Sequence, residues 1–124
     1  PQVSMFGIVS MEHHGLVGVC GLTYINLVVR SAEISLYIGA DAKYLDDIFA
    51  PEAWLLLMGY GFNDLGMNRL WVECYEFDEK RIALCNHFGF KLEGTLRENA
   101  FWNGEYYSSF IFSLLGHEYA ASAA

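Results

Sequence analysis

Side chains able to do chemistry are thinly spread along this chain. Its three cysteines, Cys20, Cys74 and Cys85, sit in apolar or helical patterns. Their odd number and long spacings read as buried free thiols in a reducing compartment, not as a disulfide framework. His13 and His14 are adjacent and cannot share one strand face; His87 and His117 stand alone. No Cys-x-x-Cys or His-x-x-x-His spacing brings together the ligands of a zinc centre, so no metal is expected. Neither G-x-S-x-G nor a Walker motif occurs, which removes the usual hydrolase and nucleotide-triphosphatase signatures. What remains is carboxylate. Glu33 and Glu73 lie in strand-like segments, Asp41, Asp46 and Asp47 in a loop, and Asp78 at the head of a helical pattern.

The bulk charge agrees with that acidity. The formal net charge is -8, and seven Lys and Arg spread along the chain form no basic stripe. A nucleic-acid partner is therefore not expected. Cationic partners, such as a polyamine or a basic peptide end, suit the charge. No apolar run approaches the ~18 residues of a membrane span, and no basic start leads into an apolar signal segment. A cytoplasmic protein without a membrane partner is the expectation. The 124 residues fit one domain, 1–124. A hydrophobic fraction of 54% requires a folded core and favours a homodimer, because one small monomer hides that much apolar surface with difficulty.

The elements that must position these carboxylates follow from periodicity. Residues 5–11 and 16–25 read as strands around a polar break at 12–15. Segment 32–39 alternates: Glu33, Ser35 and Tyr37 face one way, Ile34, Leu36 and Ile38 the other. A loop over 40–49 leads to a helix whose first turn holds Pro51 and Glu52. That helix runs to about Leu65 and stops at Gly66, with Trp54, Leu55, Met58 and Phe62 as its apolar stripe. Residues 68–77 form a strand, and Asp78 caps a short helix ending at Phe88 before Gly89. Residues 90–99 and 106–115 are strands joined through Trp102-Asn103-Gly104-Glu105, where Asn-Gly is a hairpin signal. The order β-β-β-α-β-α-β-β is that of an α+β, mixed-sheet domain.

Two stretches carry a resemblance: AEISLYIG at 32–39, and GYGFNDLGMNRLWVECYEFDEKRIALCNHFGFKLEGTLRENAFWNGEYYSSFIFSLLGHEY at 59–119. Together they resemble the GNAT N-acetyltransferases, in the branch of the ribosomal-protein alanine and spermidine acetyltransferases. The resemblance implies a GNAT-like fold with a mixed, mostly antiparallel sheet and two main helices. The family's first strand and first two helices have no counterpart before Pro1, so the fold is expected truncated at its N-terminus.

The resemblance also implies a chemistry. Acetyl-CoA would be the co-substrate and a small-molecule or peptide amine the acceptor. The pantetheine arm would bond the main chain of Leu36, Tyr37 and Ile38. The pyrophosphate loop maps onto Tyr44 to Ile48, followed by Phe49 and Ala50. Asp46 and Ile48 stand at its two glycine positions and Asp47 at a polar one. Asp78 stands where the family has an asparagine bonded to pantetheine, and Cys85 where it often has a tyrosine general acid. Glu33 would relay the amine proton through water, or pair structurally with Arg30 or Arg97; Glu73 could serve the same role. A small buried apolar residue is the other reading of Cys85. The aromatic hairpin of Phe101, Trp102, Tyr106 and Tyr107 would form a dimer interface or line an acceptor pocket. The degenerate loop leaves two readings open: an amine acetyltransferase, its activity intact, impaired or lost, and a non-catalytic, dimeric GNAT-like binding module.

Overall fold

Alternation along the strands decides which way each side chain faces, and the faces decide where the helices lie. The computed structural model describes residues 2–12, 15–39 and 45–122. Its elements are β1 (Gln2–Val9), β2 (Leu16–Asn26), β3 (Ser31–Ile38), α1 (Phe49–Gly59), β4 (Arg69–Tyr75), α2 (Glu79–His87), β5 (Lys91–Trp102), β6 (Glu105–Leu115) and α3 (Gly116–Ser122). A π-helical turn, Tyr60–Asp64, continues α1. The strands form one sheet in the order β1-β2-β3-β4-β6-β5. Every neighbouring pair is antiparallel except β3 with β4.

Ala32, Ile34, Leu36 and Ile38 of β3 are buried, as are Leu70, Val72 and Cys74 of β4. All three helices pack on this one face of the sheet. Trp54 of α1 stacks on Phe88 at 6.3 Å and meets Phe90 edge-on at 5.6 Å, which joins α1 to the end of α2. Phe62 stacks on Tyr119 of α3 at 4.7 Å. The opposite face, which carries Val19, Glu33, Tyr37, Trp71, Glu73 and Tyr75, has no helix over it among the described residues.

Several expected boundaries shift for local reasons. Helix α1 starts at Phe49, before Pro51, because the Asp46 carboxylate accepts from the backbone N–H groups of Phe49 and Ala50. Pro51 remains within the first turn, where a missing N–H costs no helical bond. The buried stripe of α1 is Ala50, Ala53, Trp54, Leu57 and Met58. Leu55, expected on it, is 54% exposed, since the spacing of 3 and 4 from Ala50 turns it outward. Gly61 lets the helix approach the sheet: a Cβ there would sit 3.0 Å from both Leu70 methyls. Strand β5 runs on to Trp102, and the turn is the two residues Asn103 and Gly104, at φ 52° and 82°, the left-handed pair of a type I′ hairpin. Helix α3 carried no expectation. The Glu118 carboxylate accepts from the backbone N–H of Leu115 and pairs with Lys91, which turns the chain out of β6.

Candidate active site

The parallel strands β3 and β4 pair only through Ser31, Ala32 and Glu33 against Arg69, Leu70 and Trp71. Beyond that register they splay apart. The gap opens a cleft of about 180 Å³, lined by Glu33, Leu36, Glu73, Tyr75, Asp78 and Arg81 among others. The cleft is where the polar side of one strand's alternation meets the polar side of the next.

Glu33 stands at the head of the cleft and is half-buried. Its Oε1 accepts from Thr23 Oγ1 at 3.0 Å, across the β2–β3 register. It pairs with neither arginine expected of it; Arg30 instead donates to the carbonyl of Gly66 at 3.1 Å. Burial pushes the Glu33 carboxyl above its usual range; the Thr23 bond works against this, and the charge of Glu73 adds to it. Glu73 faces it from β4. Its Oε2 accepts from Ser109 Oγ at 2.7 Å and from Asn99 Nδ2 at 3.0 Å. Two carboxylates at one opening favour a cation there.

The far side of the cleft is held by α2. Asp78 caps this helix, as expected, accepting from the backbone N–H of Arg81 at 3.2 Å. The same carboxylate holds the Arg81 guanidinium. Arg81 is buried, and its Nη2 donates to the carbonyl of Leu36 at 2.7 Å. It bridges the splay, so one main-chain group expected to bond a pantetheine arm already has a partner. Leu36 and Ile38 turn their side chains into the core, and Tyr37 is half-exposed on the open face.

At the start of α1 the Asp46 carboxylate accepts from Phe49 N at 3.1 Å and from Ala50 N at 2.8 Å. These N–H groups are the ones a phosphate would take at a helix N-terminus. Ile48 is the N-cap residue at φ -113°, so this backbone avoids the left-handed conformation that glycine would permit. Asp47 and Ile48 are exposed, and Lys80 of α2 donates to the carbonyl of Leu45 at 3.0 Å. The hollow between the two helices thus holds Asp46 and Asp47 opposite Lys80 and His87. In this conformation the helix N-terminus does not fit a pyrophosphate, although cationic groups stand beside it. Tyr44 and Asp41, also in this loop, lie outside the described residues, as do His13 and His14.

Cys85 does not line the cleft. It is fully buried, with its Sγ 3.7 Å from that of Cys74 on β4. The Cys74 thiol beside it, and then burial, hold the Cys85 thiol well above the ordinary thiol range. Periodicity could not pair these cysteines, nor find Thr23, Ser109, Asn99 and Arg81. The one available signal was the serine pair Ser108 and Ser109 inside an aromatic and aliphatic strand.

Comparison with known proteins agrees with this architecture. Residues 2–91 match the family described as Acetyltransferase (GNAT) domain. An uncharacterized N-acetyltransferase, p20 of Bacillus licheniformis, is 33% identical over 96% of this chain and 66% of its own length. The spermidine N(1)-acetyltransferase of Escherichia coli K12 is 33% identical over 84% of this chain and 55% of its own length. The chain therefore spans between about half and two thirds of these relatives. Among solved structures, a spermidine/spermine N-acetyltransferase of Vibrio cholerae superposes over 100% of this chain and 73% of its own, with TM-score 0.89 and 24% identity. A mutant spermidine N-acetyltransferase from the same organism covers 97% of this chain and 69% of its own, at TM-score 0.87 and 26% identity. Six strands in this order, a splayed parallel pair and the family match lead to one conclusion: the chain belongs to the GNAT acetyltransferase family.

Proposed function

We propose that this domain transfers an acetyl group from acetyl-CoA to a cationic amine held at the mouth of the β3–β4 splay. The observation that carries this reading is the pairing of Glu33 with Glu73 across the cleft of a GNAT fold. Acetyl-CoA supplies an activated thioester when bound. Those main-chain groups of the Leu36, Tyr37 and Ile38 segment that Arg81 leaves free, with the Asp78 end of α2, would orient its arm. Its phosphates would meet Lys80 beside the segment of Asp46, Asp47, Ile48, Phe49 and Ala50, and would reach the N–H groups of Phe49 and Ala50 only where the Asp46 carboxylate releases them. An ammonium attracted by the two carboxylates must lose a proton before it can attack. Glu33, with its raised affinity for protons, takes that proton directly or through a water. Cys85 packs α2 against β4 in this reading and moves no proton. The spermidine acetyltransferases among its relatives make a linear polyamine the first acceptor to test. A homodimer, closed through the exposed aromatic hairpin, completes the proposal. Calorimetric titration with acetyl-CoA, followed by thiol release in the presence of 1,4-diaminobutane, tests it. Binding and amine-dependent thiol release are expected; no binding at millimolar acetyl-CoA sinks it.

A second reading, a non-catalytic binding module of the same fold, draws on Asp46 filling the helix N-terminus and Arg81 spanning the splay. Acetyl-CoA turnover that is lost in Glu33→Gln would exclude it.

A further inference from the structure

We infer that Ser109 and Asn99 are positioning residues: they aim the Glu73 carboxylate into the cleft, and a bulge in β5 sets Asn99 in place to do so. This rests on the amine-binding reading of the cleft. Ser109 has 0% exposure although it lies on the open face of the sheet. Its hydroxyl is used in both directions, accepting from Asn99 Nδ2 at 2.8 Å and donating its one proton to Glu73 Oε2 at 2.7 Å. Asn99 donates to that same oxygen at 3.0 Å. Both donors therefore converge on Oε2, which leaves the Oε1 lone pairs for a ligand. Charge-assisted bonds of this kind are short and hold a carboxylate in one orientation.

Asn99 reaches this position only through an irregularity. Between Leu96↔Ser109 and Ala100↔Tyr107 the chain advances four residues on β5 against two on β6. Glu98, inside that segment, is left-handed at φ 49°, and its N–H is taken by Ser108 Oγ at 3.0 Å. A non-glycine residue held in that region stores strain, and bulges commonly re-aim a side chain beside a site. In a regular ladder no β5 residue between Leu96 and Ala100 would have a fixed place over Ser109.

The test is a mutant cycle on the whole chain, with 1,4-diaminobutane as probe, read by calorimetry without acetyl-CoA and by steady-state kinetics with it. Asn99→Ala, at an exposed site, is expected to weaken diamine binding about ten-fold, the effect of a lost bond to a charged group. KM should rise to match, with kcat little changed. In a Glu73→Gln background the same change should have no further effect. Ser109→Ala should behave alike, and Asn99→Ala keeps the question answerable if that buried variant does not fold. Equal weakening by Asn99→Ala with and without Glu73, no weakening at all, or no diamine binding by the unmodified chain would overturn the inference. Binding that follows the expected cycle without any acetyl transfer would support the inference while removing the transferase reading.

Discussion

Glu33 combines two properties that a proton acceptor needs, an opening to a cleft and a raised affinity for protons. Replacing it by glutamine should lower kcat/KM for the amine by about 10²-fold or more, the usual weight of a general base. The pH–rate profile gives a sharper readout. Because the folded-state value is raised, the acid limb of the unmodified chain should have its midpoint above the ordinary glutamate range, and Glu33→Gln should abolish that limb. The same shift acts on stability. The folded chain holds this proton more tightly than the unfolded chain does. Its stabilising contribution is therefore complete below the unfolded value and lost as pH rises through the folded one. Denaturant midpoints for Glu33→Gln should rise relative to the unmodified chain between mildly acidic and neutral pH. A glutamine variant that loses midpoint in this window would contradict the sign.

Helix α1 carries the next set of consequences. Asp46 caps it with two backbone bonds, so Asp46→Ala should cost about 1 kcal/mol of stability, the usual value of such a cap. The same substitution frees the N–H groups of Phe49 and Ala50 and removes a carboxylate. A carboxylate about 5 Å from a phosphate charge costs about 3 kcal/mol at an effective dielectric of about 20. Asp46→Ala should therefore bind acetyl-CoA at least about ten-fold more tightly while melting earlier, an opposition that calorimetry and thermal unfolding can read together. The glycines of the same helical segment separate just as cleanly. A Cβ on Gly61 would press on the Leu70 methyls at 3.0 Å, whereas one on Gly59 would meet the Tyr119 hydroxyl at an ordinary 3.7 Å. Gly61→Ala should destabilise by about 1–3 kcal/mol through overpacking. Gly59→Ala should stabilise by roughly 0.5–1 kcal/mol through helix propensity. Urea midpoints of the two variants moving in the same direction would contradict this account.

Across the whole molecule, the helices cover one face of the sheet and leave aromatic surface on the other side and at the β5–β6 tip. Phe101, Trp102 and Tyr106 are 64%, 62% and 62% exposed. Tyr75, Phe77 and Tyr107 continue this surface through ring contacts of 5.5 and 5.0 Å. In the dimer proposed above, this contiguous aromatic patch would be the interface. Sedimentation at micromolar concentration should show a dimer, and Trp102→Lys should shift it to monomer with little change in thermal stability. A monomeric unmodified chain would remove the interface. No helix among the described residues is long and apolar enough to cross a membrane.

Much of this architecture was legible from local pattern. The alternation of Glu33, Ser35 and Tyr37 against Ile34, Leu36 and Ile38, the Asp78 cap, and the Asn103-Gly104 turn each follow from a few neighbouring residues. They hold because backbone geometry repeats with a short period, and the family resemblance rests on many such features together. The site was legible only in part. Glu33, Glu73 and Asp78 stood out as candidates, but not what they would touch. The partnership of Glu73 with Ser109 spans 36 residues, and that of Arg81 with the Leu36 carbonyl spans 45. Such pairs depend on the register between strands, on the length of parallel pairing before β3 and β4 part, and on a bulge at Glu98. A shift of one residue in register would turn each side chain to the other face. The sequence by itself therefore determined the six strands, the first two helices, most of their faces and the family, but not helix α3. Tertiary structure decided which carboxylates meet, which N–H groups are already taken, and that Cys85 faces Cys74 instead of the cleft, because those outcomes are set by hydrogen-bond distances that only the assembled sheet defines.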